Sequence, residues 1–483
     1  MDDCLNKKAI TATKWSGLSQ VVSKLVHPVV SMVLARLLTP EAFGVVATLN
    51  MVITFAEIFT DSGFHKYLVQ HEFKDDKDRQ DSTNVAFWSN LSISLMIWGV
   101  IAIFSEPLAT LVGNPGLGFV LIIACTSIPL AAFSSIQSAL YTRDLDFKTL
   151  FRVRIVSVFV PLVVTVPLAF WLRSYWALVI GGIAQSVVSA VLLTLYSKWK
   201  PQIYYSFGKL KEMLSFSVWS MVESISIWLT CYFDIFLVST TLSMYYLGLY
   251  RASAVMVTQV MSIITATTTP ILFSALSRLQ NDEDGFRHFF FRFQKLVGLL
   301  IIPIGAGIFC FHNLMTDILL GDQWMRIAKY VGLWGLMNAV VIVLSRYASE
   351  VYRAKGHPKL SVLAQWLHII VLWPTVWIAV QCDFDTLCIS RCLVKIEMIA
   401  VNLIIMKLLV RISPWKMVCN IFPSVCASGG MMALAFLLLS LGSSYLFQFA
   451  AIFVCGLFYF GLISLFPYER NLLKSFVLKR IRS

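Results

Sequence analysis

Fourteen stretches of about 20 mostly apolar residues follow one another through this 483-residue chain, and very little chain is left between them. A helix needs roughly that length to cross the hydrocarbon core of a bilayer. The stretches fall at about 15–38, 42–61, 84–104, 117–141, 154–172, 175–197, 214–239, 246–270, 294–313, 327–350, 359–380, 388–410, 417–441 and 445–466. Hydrophobic residues make up 58% of the chain and charged residues 13%, against about 25% charged in a soluble domain. A soluble fold of this size cannot cover that much apolar surface. The sequence therefore predicts an all-α, polytopic membrane protein with no soluble domain and no loop able to house a catalytic module. The N-terminal "MDDCLNKKAITATKWSG" is polar and lacks the apolar core of a cleavable signal, so the first span is expected to be retained.

The basic residues orient these spans. With the N-terminal side taken as one face, 30 of the 39 Lys and Arg lie on that face and six on the other: Arg36, Arg173, Arg251, Arg326, Lys329 and Arg391. Loops rich in Lys and Arg stay in the cytoplasm. Both termini are thus expected inside, and the helix count is even. The net charge of +13 is this same signal, with attraction to anionic lipid heads; no nucleic-acid partner is needed to explain it. "RLLTPEAFG" then reads as the outer turn between the first two spans, where Pro40 and Gly44 punctuate and Arg36 and Glu41 meet water.

The chain also repeats itself. Shifted by 204 residues, Trp15-Ser16 falls on Trp219-Ser220 and Phe43-Gly44 on Leu247-Gly248. "PLATLVGN" (107–114) matches "LMTDILLGD" (314–322) at a shift of about 208, and "ALYTRDLDFK" (139–148) matches "EVYRAKGHPK" (350–359) at about 211. Residues 1–200 therefore read as one six-helix lobe, 201–412 as a second, and 413–483 as two appended helices with a cytoplasmic tail. Six is even, so both copies share one orientation, as in transporters built from parallel repeats around a cavity.

Charges inside spans are expensive, at least ~2.5–3.5 kcal/mol each at the membrane centre. Lys24 lies nine residues into the first span, about 13 Å deep at 1.5 Å per residue, with His27 on the same face. Glu57 and Asp61 are four apart on the second span; Glu223, Thr230 and Asp234 form a stripe on the seventh; Arg251 opens the eighth; Arg391, Lys395 and Glu397 follow one another on the twelfth. Two readings stay open for each of them, a structural intramembrane pair or the lining of a transport cavity. Lys24, Glu57, Glu223 and Lys395 sit deepest and are read as lining. His27 beside Pro28 reads as part of a capped kink, and His368 as a core histidine with a partner.

Enzyme signatures are missing. The sequence has no G-x-x-x-x-G-K-[ST], no H-E-x-x-H and no G-x-S-x-G, so the chain is not expected to be an enzyme, and movement must draw on an ion gradient or on the substrate's own. The ten cysteines are scattered in apolar runs. Cys388 and Cys392 share a helical face without a histidine, so no metal and no cofactor are expected.

"TKWSGLSQ", "LARLLTPEAFGVVA", "FTDSGFHKYLVQ", "LVGNPGL", "SALYTRDLDFKTL" and "FSALSRLQND", in that order, resemble the Wzx-type polysaccharide flippases. The likeness is to the colanic-acid-exporter-like branch of the multidrug/oligosaccharidyl-lipid/polysaccharide exporter superfamily and covers most of residues 10–410. It implies a V-shaped bundle of two six-helix lobes plus two helices in a bacterial inner membrane. It implies that an undecaprenyl-diphosphate-linked oligosaccharide is turned from the cytoplasmic to the periplasmic leaflet by alternating access, for surface polysaccharide synthesis. Membrane lipids, H⁺ or Na⁺, and other polysaccharide assembly proteins are the implied partners. Lys24, Arg251 and Lys395 would supply the cations that such cavities present to a diphosphate. Glu57, Glu223 and Asp234 make the cavity mixed in sign and leave room for an ion-coupling carboxylate. A drug or cation antiporter of the same fold and a lipid II flippase remain alternatives. A membrane polymerase or ligase is disfavoured, because the outer loops are short.

Overall fold

The computed structural model describes residues 2–61, 63–467, 469 and 470; for 2–10, 12–14, 61, 214–220, 222, 223 and 409 it describes the backbone alone. Helices account for nearly all of it. In chain order they are α1 (Asp2–Leu37), α2 (Pro40–Asp61), α3 (Phe64–Gln70), α4 (Asp76–Ile103), α5 (Ser105–Leu111), α6 (Gly118–Cys125), α7 (Ser127–Arg143), α8 (Phe147–Val160), α9 (Val166–Leu172), α10 (Trp176–Tyr196) and α11 (Phe207–Thr241). They continue as α12 (Met244–Arg278), α13 (Glu283–Cys310), α14 (His312–Leu319), α15 (Ala328–Val341), α16 (Ala348–Ala354), α17 (Lys359–Cys382), α18 (Phe384–Leu409), α19 (Pro414–Leu441) and α20 (Tyr445–Ser464). Two compact units emerge: residues 1–252 with 376–381, and 253–375 with 382–483.

Among the described residues, thirteen helices are long and apolar enough to cross a membrane. The fourteenth expected span is present as α18, which runs for 26 residues. It is less apolar than the thirteen because Asp385, Arg391, Lys395, Glu397 and Lys407 are strung along it.

Helix breaks follow local chemistry. Pro161 has no N–H, and its ring displaces the carbonyl four residues back. The helix absorbs this as a π-helical turn, Pro161–Thr165, between α8 and α9. Single-residue breaks at Phe104 and Phe311, with φ near −102° and −101°, separate α4 from α5 and α13 from α14.

The repeat recurs in these details. α1 and α11 end at Leu37 and Thr241, and α2 and α12 begin at Pro40 and Met244. α4 and α13 both run 28 residues, and the side chains of Asp75 and Asp282 cap them at equivalent positions. Leu145 and Gly356 both take the left-handed conformation, at φ 58° and 76°, in the turns that follow α7 and α16. Glycine occupies such a position without steric cost, whereas leucine does not.

In unit 1 the two equivalent glycines of the repeat meet. A Cβ on Gly44 would lie 2.1 Å from the Met244 carbonyl oxygen, and one on Gly248 only 1.7 Å from that of Pro40. The first turns of α2 and α12 thus cross backbone to backbone. The core beneath them is built from Val45, Leu49, Ala56, Ile101, Leu121 and Ile128. The connection between α10 and α11 and the first turn of α11 are moored to α4: Gln202 N donates to Asn84 Oδ1 at 3.0 Å, Trp88 Nε1 to Gln202 O at 2.9 Å, and Lys209 Nζ of α11 to Asp78 Oδ1 at 2.7 Å. In unit 2, α13, α19 and α20 share a core that includes Leu299, Ala306, Ala427, Met431, Cys455 and Tyr459.

Candidate functional site

Unit 1 contains a cavity of about 650 Å³ among α2, α7, α8 and α10, with His27 of α1 at its wall. About half of its lining is polar, and those residues recur at helical periodicity. Asn50, Thr54 and Glu57 lie along one face of α2, and Ser127, Ser134 and Ser138 along one face of α7. α10 adds Gln185, Ser186 and Ser189, and α8 adds Arg154 and Ser157. A further pocket of about 310 Å³ shares Glu57, Ser134, Ser138 and Ser189 and reaches Thr60, His65 and Asn90. Glu57 therefore faces both.

Several of these hydroxyls donate to nearby backbone carbonyls: Ser127 Oγ to Ala124 O at the end of α6 at 2.8 Å, and, within their own helices, Ser134 Oγ to Ala131 O at 3.0 Å and Ser186 Oγ to Gly182 O at 3.1 Å. Their oxygens keep lone pairs for a ligand that donates. Asn90 is fully buried and gives its amide N–H to Ala132 O at 3.3 Å, while its Oδ1 has no partner among the described residues. The buried Ser157 hydroxyl has none either. Buried polar atoms left this way are costly unless water or a ligand reaches them.

The cavity is mixed in charge. Arg154, on the second turn of α8, donates from Nε to Ser23 Oγ at 3.1 Å. With His27 it makes a basic wall, and Lys24 lies within electrostatic reach of the same imidazole. Glu57 supplies the acidic group.

Of the residues singled out from sequence, Glu57 and His27 come together here. Lys24 is half-buried on α1 and does not line the cavity. Arg251 holds its guanidinium 5.5 Å from the Tyr232 ring centroid, a cation–π distance. Asp234 is buried and accepts from the Tyr250 hydroxyl at 2.6 Å and from Ile235 N at 2.8 Å. Lys395 belongs to unit 2 and donates to Asn338 Oδ1 at 2.8 Å. The side chains of Glu223 and Asp61 lie outside the described residues. Arg154 is the first residue of the fifth expected span and reads as part of its basic edge, and serine and glutamine stripes barely change a hydropathy profile. Their spacings, 127, 134, 138 and 185, 186, 189, were the available signal.

A family model described as "Polysaccharide biosynthesis protein" matches residues 33–329. The succinoglycan biosynthesis transport protein ExoT of Rhizobium meliloti (strain 1021) is 26% identical over 373 residues, 76% of this chain and 73% of that protein. The lipopolysaccharide biosynthesis protein WzxC of Escherichia coli (strain K12) is 22% identical over 343 residues, 70% of this chain and 68% of that one. Among solved structures, the lipid II flippase MurJ in an inward closed conformation superposes with a TM-score of 0.74 at 13% identity, over 95% of this chain and 99% of that one. An inward-facing multidrug transporter of the MATE family gives 0.65 at 11%, over 82% and 98%. At such identities the structural likeness establishes the fold. The chain belongs to the polysaccharide biosynthesis protein family, on the fold shared with these transporters.

Proposed function

We propose that the protein flips undecaprenyl-diphosphate-linked oligosaccharide repeat units from the cytoplasmic to the periplasmic leaflet of a bacterial inner membrane, by alternating access. The observation that carries this reading is a cavity with polar stripes and groups of both charges inside a membrane-spanning unit, in a chain with the family match above. Its basic wall suits a diphosphate, since Arg fits phosphate oxygens in a bidentate way. Its hydroxyl and amide stripes suit sugar hydroxyls, which donate and accept. At about 650 Å³ it has the size of a pocket for a small polar ligand, so it takes the phosphates and first sugars, and the lipid tail stays in the bilayer. Lys24, Arg251 and Lys395 are proposed to attract the anionic head on its way. The segments 1–200 and 201–412 are proposed as the alternating lobes and 413–483 as appended helices. Membrane lipids and other polysaccharide assembly proteins are the proposed partners.

Coupling to H⁺ or Na⁺ is proposed to run through Glu57, with Asp234 and Glu223 as further acidic candidates. The acidic group in the cavity also supports a second reading, export of small cations, and the fold alone would serve lipid II. Deleting the gene separates these. Surface polysaccharide should be lost and lipid-linked intermediates should accumulate facing the cytoplasm, with drug tolerance and peptidoglycan unchanged. Normal polysaccharide in the deletion strain would remove the flippase reading.

Both termini are proposed to be cytoplasmic, with 106–116 and 383–385 outside. A cysteine placed at Asp76 in a cysteine-free background is expected to resist an impermeant thiol reagent in intact spheroplasts and to react after lysis. Labelling before lysis would invert the topology.

A further inference from the structure

α17 and α18 form an antiparallel hairpin turned at Asp383. His368 lies 15 residues before that turn and Glu397 14 after it. At 1.5 Å per residue both sit about 21–22 Å down the hairpin, deep in a hydrocarbon core about 30 Å thick. There His368 Nδ1 and Glu397 Oε2 are 2.8 Å apart. The histidine is 4% exposed. The second carboxylate oxygen, Glu397 Oε1, is buried with no hydrogen-bond partner among the described residues. A hydrogen bond that merely held two helices together would need no titratable group and would leave no bare carboxylate oxygen.

We propose that His368 and Glu397 form a proton-binding site of unit 2. Its existence stands on this geometry; only its use in the transport cycle rests on the flippase reading. With one proton the pair is neutral overall, either as imidazole with carboxylic acid or as imidazolium with carboxylate. Losing that proton leaves one negative charge at the bare oxygen. Such a charge is tolerated at this depth only beside cations, and α18 supplies them: Arg391 and Lys395 both lie within electrostatic reach of His368. Lys395 is held by Asn338 of α15 at 2.8 Å, so the field of the hairpin is tied to the neighbouring helix. The remaining charges on the packed elements are Lys329 of α15, bound to Asp385 at the far end of the hairpin at 3.2 Å, Arg346 on the π-helical turn after α15, and Lys416 at the start of α19.

The test is an infrared pH titration of the purified full-length protein in lipid nanodiscs, reading the C=O stretch of protonated carboxyls. The wild type is expected to show a titrating carboxyl band that is absent in Glu397→Gln and whose midpoint moves in His368→Asn. Identical titrations of wild type and Glu397→Gln overturn the proposal. Should Glu397→Gln fail to accumulate, Glu397→Asp replaces it: a displaced band supports the site and an unmoved one overturns it. No substrate enters this measurement, so its failure leaves the flippase reading intact, and failure of the deletion experiment leaves this site intact.

Discussion

Gly248→Ala is expected to lower the stability of the folded protein by about 1–3 kcal/mol and to abolish transport, although it adds a single methyl group. That methyl would sit 1.7 Å from the carbonyl oxygen of Pro40, and the same change at Gly44 would sit 2.1 Å from that of Met244. The obstacles are backbone atoms at the first turns of α2 and α12, so no side chain can swing aside. The two helix starts must separate, and the core of Val45, Leu49 and Ala56 beneath them must open. Alanine is otherwise the better helix former by about 1 kcal/mol, so the sign of the effect comes from packing alone. Gly99→Ala is the control: its added methyl would meet nothing within 4 Å, and stability there should hold or rise. Thermal unfolding in detergent, with size-exclusion recovery as the readout, measures both. Equal melting temperatures for Gly248→Ala and wild type would dismiss the close crossing.

The two glycines mark how far the sequence reaches. Phe43-Gly44 and Leu247-Gly248 align at a shift of 204 residues, so the repeat was legible; that the equivalent glycines pack on each other is a fact of three dimensions with no trace in the pattern. The long helices were legible because burying a backbone in lipid demands about 20 apolar residues at a time, and that demand leaves a coarse, strong signal. Even α18 could be read, since its intramembrane charges interrupt the apolar run without ending it. The seven- and eight-residue helices α3, α5 and α14 were not, because one or two turns carry too little periodicity to stand out. The π-helical turn at Pro161 was hidden within an unbroken apolar run. At the site, the depth of Glu57 marked it out. Arg154 did not stand out, since its helix starts at Phe147, seven residues before the expected span. His368 was read as a partnered core histidine, which it is; that its partner is a carboxylate 29 residues away could not be read from spacing.

Arg154 and Glu57 carry the other large expectation. If the basic wall receives the diphosphate, Arg154→Gln removes a charge-assisted contact of about 1.5–3 kcal/mol, so flipping in reconstituted vesicles should fall by about ten- to a hundredfold at limiting substrate. Arg154→Lys should recover part of that, because the charge returns without the bidentate fork. Protein levels should change little, since Arg154 is exposed to the cavity and the hydrogen bond it would give up is the one to Ser23. Glu57→Gln keeps the size and one acceptor of the acid but fixes it neutral. If Glu57 couples transport to an ion, this variant should still move substrate down its own gradient yet ignore an imposed pH or Na⁺ gradient. A purely structural Glu57 predicts the opposite pattern, a loss of folded protein with the gradient response of the surviving fraction unchanged. Two outcomes would end the assignment of this cavity: Arg154→Gln flipping at the wild-type rate, and Glu57→Gln responding to the gradient as the wild type does. Together they would leave the polar stripes of α2, α7 and α10 as a water-filled space that the substrate never enters.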